Sequence, residues 1–242
     1  MKLAVVYVCQ ITKFVFKAPT DFRPVTTDLF DDLPQEPVHE DIAPGAVLLR
    51  GFARAMDAQL LDALAAVTAH SPLHHMQTPG GHTMSVASTN CGPLGWVSTP
   101  AGYRYTAHDP RSGQPWPALP ACFADLALRA AAQAGYAHFV PDACLINAYV
   151  PGAKMSLHQD KDEKDLRAPI VSVSLGLPAV FLFGTTQRSD RAQRYRLVHG
   201  DVVVWGGPSR LAFHAVMPLA DGAHALLGRK RLNLTFRRAR PV

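Results

Sequence analysis

Cysteine is scarce in this chain: four among 242 residues, at Cys9, Cys91, Cys122 and Cys144, far apart and without a C-x-x-C pair. That excludes a zinc ribbon and a disulfide framework, and it favours a reducing compartment. Long hydrophobic runs are also missing. Nothing approaches the eighteen or so consecutive apolar residues of a membrane span, so the chain reads as a soluble globular protein. The apolar stretch Leu3 to Val8 after Met1-Lys2 is too short for a secretion signal and has no small-residue cleavage motif. The cytoplasm is the expected location. No internal repeat is visible.

What is present is a core's worth of apolar residues, 48% of the chain, enough for one self-sufficient domain with a modest appendage. The net charge of +5 is compatible with a polyanionic partner but is common without one.

Residues 1 to about 44 carry Pro19, Pro24, Pro34, Pro37 and Pro44 and the acidic cluster Asp28, Asp31 and Asp32, with no sustained periodicity. This reads as a loosely attached arm, followed by a single domain over 45–242. From Asp57 to His70, Leu60, Leu61, Leu64 and Val67 recur at helical spacing, with Asp57 as N-cap and Pro72 closing the segment. A second helix is expected from about Pro120 to Gln133, with Phe123, Leu126 and Ala130 on one face and Gly135 as C-cap. Between them lies the Gly-, Ser- and Thr-rich stretch Thr78 to Thr106. After Asp142 the pattern changes to short apolar runs, Ala143–Val150, Ile170–Leu177, Val180–Phe183, Val202–Trp205, Leu211–Val216 and Leu232–Arg237. Two helices backing many short strands indicate an α+β chain dominated by a β-sandwich, jelly-roll or barrel.

One pattern bears on chemistry. A His-x-Asp pair puts two ligands on one face of a strand, because side chains alternate with period two, and a distant histidine completes a facial triad with open metal positions. Chance supplies roughly one H-x-[DE] in a chain of this composition, and three occur. His39-Glu40-Asp41 lies in the proline-rich arm, with nothing nearby to fix it, and His199-Gly200-Asp201 joins two apolar runs as a tight turn would. His158-Gln159-Asp160 instead ends a segment that follows a Pro151-Gly152 turn and opens into the charged run to Asp165. His214, within the strand-like Leu211–Val216, is the candidate third ligand, although a strand histidine is more often a packed core residue.

The C-terminal run Arg231-Leu232-Asn233-Leu234-Thr235-Phe236-Arg237 reverses that preference. Its bland reading is a half-exposed edge strand with solvated arginines. Yet two arginines flanking an amide on one strand face suit a dicarboxylate, since guanidinium binds carboxylate bidentately. Asn147 and Tyr149, alternating with Ile146 and Ala148, offer an amide and a phenol to the same cavity. Such a two-histidine, one-carboxylate donor set leaves three positions of an octahedral iron open, where zinc favours a closed tetrahedron.

These residues together resemble the AlkB family of DNA-dealkylating dioxygenases. The similarity runs from about Asp28 to Arg238 and includes the stretches Pro79 to Val86, Leu157 to Glu163 and Gly200 to Gly207. It implies a double-stranded β-helix (jelly-roll) core over 142–238, iron on His158, Asp160 and His214, and 2-oxoglutarate held by Asn147, Tyr149, Arg231, Asn233 and Arg237. Which arginine grips which carboxylate stays open. It further implies a nucleotide-recognition lid over about 73–117, with Trp96 and Tyr103 over a flipped base. By the same carry-over Asp162 accepts a hydrogen bond from the base's exocyclic amine, Arg188 contacts base or backbone, and Trp205 lines the cavity near the metal. For Trp96 the bland reading is a loop packed on the core, and for Asp162 and Arg188 a solvated surface.

The implied reaction couples decarboxylation of 2-oxoglutarate to hydroxylation of an N-alkyl group, which leaves as formaldehyde. Its implied substrate is 1-methyladenine or 3-methylcytosine in single-stranded DNA, with RNA as an alternative, and the implied state is a monomer. The sequence departs from the family in its arm, in Ala148 where arginine is expected, and in the basic turn Gly228-Arg229-Lys230. Two rivals remain: a dioxygenase of the same fold acting on a protein or small molecule, and a nucleic-acid-binding protein without chemistry.

Overall fold

Side-chain alternation organises residues 38–240, the part of the chain that the computed structural model describes. In chain order the elements are β1 (His39–Ala43), β2 (Ala46–Leu49), α1 (Asp57–His70), β3 (His74–Gln77), β4 (Thr83–Cys91), β5 (Gly95–Thr99), β6 (Gly102–Thr106), α2 (Ala121–Gln133), β7 (Ala143–Tyr149), β8 (Met155–His158), β9 (Ile170–Gly176), β10 (Ala179–Phe183), β11 (Gln193–Leu197), β12 (Val202–Trp205), β13 (His214–Val216) and β14 (Arg231–Arg237). An eight-stranded sheet has the order β1-β2-β12-β9-β14-β7-β4-β3, a four-stranded sheet the order β11-β10-β13-β8, and β5 and β6 pair as a hairpin. Every strand pairing within them is antiparallel. The described residues are therefore mostly β, with two α-helices. Among the described residues no helix is long and apolar enough to cross a membrane.

The central strands of the large sheet are buried on both faces, and period two assigns each residue a side. Leu232, Leu234 and Phe236 of β14, Val171, Val173 and Leu175 of β9, and Val202 and Val204 of β12 share one core with Leu60, Leu64 and Val67 of α1 and Phe123, Leu126 and Ala130 of α2. On the other side Val203, Trp205, Ile170 and Tyr149 pack with Phe181, Phe183, Leu197 and Val216 of the small sheet. The polar residues of β14 lie on this second side, so the space between the sheets is where a site can form.

Both helices occupy the ranges their spacing predicts. At α1 the N-cap is Met56 rather than Asp57, which is the first helical residue and adds a negative charge at the positive end of the helix dipole. Three expectations need correction. The arm lies outside the described residues except for 38–44, and there His39–Ala43 is strand β1, paired with β2. The Gly-, Ser- and Thr-rich stretch is not a simple flap: it contains β4, β5 and β6, and β4 pairs with β7 in the large sheet, with Ser88, Thr89, Asn90 and Cys91 buried. The run Leu211–Val216 is strand only from His214, because Ala212 N bonds back to Ser209 O in a turn. The alternative of a solvated edge strand for β14 does not hold: it lies between β7 and β9, and all seven residues are buried.

Candidate metal centre and co-substrate cavity

β13 and β8 pair so that His214 stands opposite His158, with the two rings 4.3 Å apart between centroids. His158 is the last residue of β8, and Asp160 follows two residues on, just past the strand end rather than within it. One ligand atom from each of His158, Asp160 and His214 lies within 4.8 Å of the other two. The nearest oxygens of Asp160 are 3.7 Å from Nε2 of His158 and 3.9 Å from Nε2 of His214.

Backbone carbonyls set the protonation of both rings. Nδ1 of His158 is 2.8 Å from Ser156 O, and Nδ1 of His214 is 3.0 Å from Ala212 O. A carbonyl only accepts, so each Nδ1 carries the hydrogen and each Nε2 lone pair points to the shared space. Burial, and then the neighbouring His158, lower the pKa of His214 to about 4, which keeps it neutral as a ligand must be. Burial alone would raise the Asp160 carboxyl, but Arg237, His214 and His158 outweigh it and hold it well below the usual carboxylate range.

The adjoining cavity is lined by all three of these residues, by Asn147, Tyr149, Trp205, Arg231, Asn233 and Arg237, and by Trp96. Arg237 donates from Nη2 and Nε to Asp160 Oδ2 at 2.6 and 3.1 Å. Arg231 is fully buried; its Nη2 donates to Ser174 Oγ at 3.0 Å, and its guanidinium lies 4.9 Å from the centroid of the Tyr149 ring. Nε and Nη1 of Arg231 have no hydrogen-bond partner. Buried guanidinium donors are costly to leave unmade, and two of them on a cavity wall beside three convergent ligand atoms fit a metal ion with a bound carboxylate. Asn147 accepts from Ser88 Oγ at 2.7 Å, which leaves its amide NH2 as a donor. Asn233 is different: Nδ2 donates to Ser172 Oγ and Val173 O, and Oδ1 accepts from Thr235, so its amide is committed to the sheet.

Three of the four residues expected to meet a base come together. Trp96 on β5 and Tyr103 on β6 stack with centroids 5.4 Å apart and planes 18° from parallel, and Trp96 Nε1 donates to Asp162 Oδ2 at 2.7 Å. Arg188 does not join them: it donates to the carbonyl of Leu157, the neighbour of His158, at 3.2 Å and lies over the ring of Phe213, which precedes β13. Trp205 meets His214 edge-on at 5.1 Å.

Sequence reasoning missed several participants. Ser172 and Ser174 of β9 hold Asn233 and Arg231, and their period-two spacing in an otherwise apolar strand was a usable signal. Glu163, Arg210 and Tyr105 form a buried polar cluster behind Asp160. Met84 and Phe181 line the cavity; apolar residues of this kind carry no local signature. The two other His-x-Asp/Glu pairs make no such site. His39 Nε2 meets Asp41 Oδ1 at 3.1 Å on the partly exposed strand β1. His199 approaches Asp57 at 3.4 Å and stacks on His224 at 4.5 Å.

Residues 45–237 match the 2OG-Fe(II) oxygenase superfamily. The chain is 59% identical over 212 residues to the alpha-ketoglutarate-dependent dioxygenase AlkB of Salmonella typhimurium, covering 88% of this chain and 97% of that protein. Identity to AlkB of Escherichia coli is 58% over the same shares. The tRNA demethylase abh1 of Schizosaccharomyces pombe is 34% identical, over 61% of this chain and 53% of its own length. The solved structure titled OsALKBH1 superposes with a TM-score of 0.71 at 28% identity, covering 83% of this chain and all of that one. Matches of this extent, on a chain whose sheets bring together the donors of an iron and 2-oxoglutarate site, make it a member of the AlkB family of 2-oxoglutarate-dependent Fe(II) dioxygenases.

Proposed function

We propose that this enzyme oxidatively removes alkyl groups from N-alkylated bases, of the 1-methyladenine and 3-methylcytosine type, in single-stranded DNA, as a direct-reversal repair step that releases formaldehyde. The observation that carries this reading is the stacked pair Trp96–Tyr103, tied through the indole to the Asp162 carboxylate beside the metal-ligand cluster. A flat aromatic surface suits a base taken out of its stack. A carboxylate suits a base made cationic by alkylation. The two AlkB relatives are named as alpha-ketoglutarate-dependent dioxygenases, the oxidative half of this reading.

In this reading His158 and His214 bind iron through Nε2 and Asp160 through its carboxylate. Arg231 and Arg237 receive the carboxylates of 2-oxoglutarate, Asn147 and Tyr149 add polar contacts, and Asn233 fixes the wall. When bound, iron and 2-oxoglutarate supply the activation of O2 that hydroxylates the alkyl carbon. Asp162 bonds Trp96 through one oxygen and keeps the other for an exocyclic amine. Trp205 closes the inner end of the cavity against water, and Arg188 serves backbone phosphate at the rim. We read the two facing sheets as a double-stranded β-helix over 142–238, the β5–β6 hairpin and its flanks over about 73–117 as a substrate lid, and the enzyme as a cytoplasmic monomer. RNA is a second substrate class, favoured by the tRNA demethylase among the relatives. A small-molecule or protein substrate would leave the aromatic pair without a purpose.

The test is formaldehyde release from a methylated single-stranded oligonucleotide. Release that requires both Fe(II) and 2-oxoglutarate is expected. Turnover of 2-oxoglutarate without any release from the oligonucleotide would overturn the assignment.

A further inference from the structure

Glu163 and Arg210 are buried, charged and unused by the chemistry above. The Glu163 side chain is 2% exposed and that of Arg210 4%. Burial of this kind is costly unless each charge is paired and hydrogen-bonded, and here it is. Arg210 donates from Nη2 to Glu163 Oε2 at 2.9 Å, from Nη1 to Asp160 O at 2.7 Å and from Nε to Ala168 O at 2.8 Å. Its three nitrogens thus span both ends of the connection that carries Asp160 and Asp162. Glu163 Oε1 accepts from the Tyr105 hydroxyl at 2.5 Å and lies 3.4 Å from Nε of Arg237.

Arg237 is therefore shared. Nη2 is on Asp160, while Nε stands between Asp160 Oδ2 at 3.1 Å and Glu163 Oε1 at 3.4 Å. Two guanidiniums and two carboxylates balance there, each side chain at most 10% exposed. Remove the charge of Glu163 and two buried cations face one carboxylate, that of Asp160, the same group that must present an oxygen to a metal. A carboxylate drawn harder into guanidinium is a poorer metal ligand, and groups that orient metal ligands typically govern affinity by 10–100-fold.

We propose that Glu163, anchored by Arg210, is a positioning residue for the metal centre: it takes part of the Arg237 guanidinium and so leaves Asp160 free to bind iron. The inference rests on the reading of His158, Asp160 and His214 as the metal ligands. It also gives Tyr105 a role, since that hydroxyl connects the β6 strand of the hairpin to the same carboxylate.

The experiment measures Mn(II) binding to the purified protein by calorimetry, then 2-oxoglutarate binding to the Mn(II) form, alongside thermal unfolding. Glu163→Gln keeps the shape and is expected to weaken Mn(II) binding by about 10–100-fold. Glu163→Gln with Arg210→Gln restores the charge balance and should regain part of that loss, although it removes more hydrogen bonds. Should Glu163→Gln be too unstable to purify, Arg210→Lys keeps the charge but loses the fork and is expected to weaken Mn(II) binding less. Unchanged Mn(II) affinity in the folded variants, with only a lower melting temperature, would overturn the proposal, as would a double variant that binds metal worse than the single one. His158→Ala separates the two readings: if it binds Mn(II) like the unaltered protein, the metal site itself has been misassigned.

Discussion

The chain contains the same spacing, His-x-Asp, at 158–160 and at 199–201, and the two places differ in everything but sequence pattern. At 158–160 the pair leaves the end of β8, faces a second histidine, His214, on β13 and brings its acceptor atoms together with it. At 199–201 the intervening Gly200 has a φ of +87°, a left-handed turn in which an added Cβ would meet Arg54 at 2.4 Å. The turn sends the two side chains to separate tasks. Asp201, 1% exposed, accepts from Gly51 N at 2.9 Å, Val198 N at 3.0 Å and Arg50 Nη1 at 2.9 Å. His199 Nδ1 accepts from Gly176 N at 3.0 Å. The cations differ in the same sense: Arg50 spends its donors on Glu40, Asp201 and the Arg196 carbonyl, whereas Arg231 leaves two unmade. The Asp201 carboxylate, saturated by three donors, builds structure; the convergent groups around Asp160 and Arg231 suit a ligand.

The largest effect should come from exchanging the roles. His158→Ala is expected to abolish iron-dependent turnover, and His199→Ala to leave turnover by the folded protein unchanged, both measured by succinate formation. Equal losses in the two variants would dissolve the distinction. Next in size, Asp201→Ala strands two backbone donors and the buried end of Arg50, and should lower stability by about 2–4 kcal/mol in urea unfolding without altering the activity of the folded fraction. Smaller again, Arg231→Met should weaken 2-oxoglutarate binding by about 10–100-fold, the worth of a charged hydrogen bond, while metal affinity stays as it was. An unchanged KM for 2-oxoglutarate would remove Arg231 from the co-substrate site.

The finest probe uses pH. Burial, and then His224, lower the pKa of His199 below its ordinary value, so between the two pKa values the folded chain binds fewer protons there than the unfolded one. Stability must then rise with pH across that window and fall as pH drops below about 6.5, the unfolded imidazole value. His199→Asn, which keeps an acceptor for Gly176 N, should flatten that fall in melting temperature measured from about pH 8 to about pH 5. A slope as steep as before would show that His199 does not titrate in this way.

Much of the fold was legible because period carries it: α1 and α2 from 3.6-residue spacing, β7, β9, β12 and β14 from short apolar runs. β4 was not, since Thr83 to Cys91 is rich in small polar residues that look like loop until Ser88 and Thr89 are seen buried with partners in Asn147 and Ser71. Both strand arginines could be named from spacing, because a strand forces alternate residues onto one side; His158 and Asp160 were named on the same ground, although β8 ends at His158 and Asp160 follows it. Glu163 and Arg210 could not. Each sits among charged or turn residues where solvation is the ordinary outcome, and only a long-range contact, 47 positions apart, makes them a buried pair.

The carbonyls of Ser156 and Ala212 that hold the two histidine rings belong to the main chain. Whatever side chains mutation places at 156 and 212, the acceptors remain, so neither position offers evolution or an experimenter a direct handle on ring orientation. The two candidate histidine ligands are thereby insulated from sequence drift at their own supports, and under the proposal above the positions through which metal affinity can be tuned lie instead on the far side of Asp160.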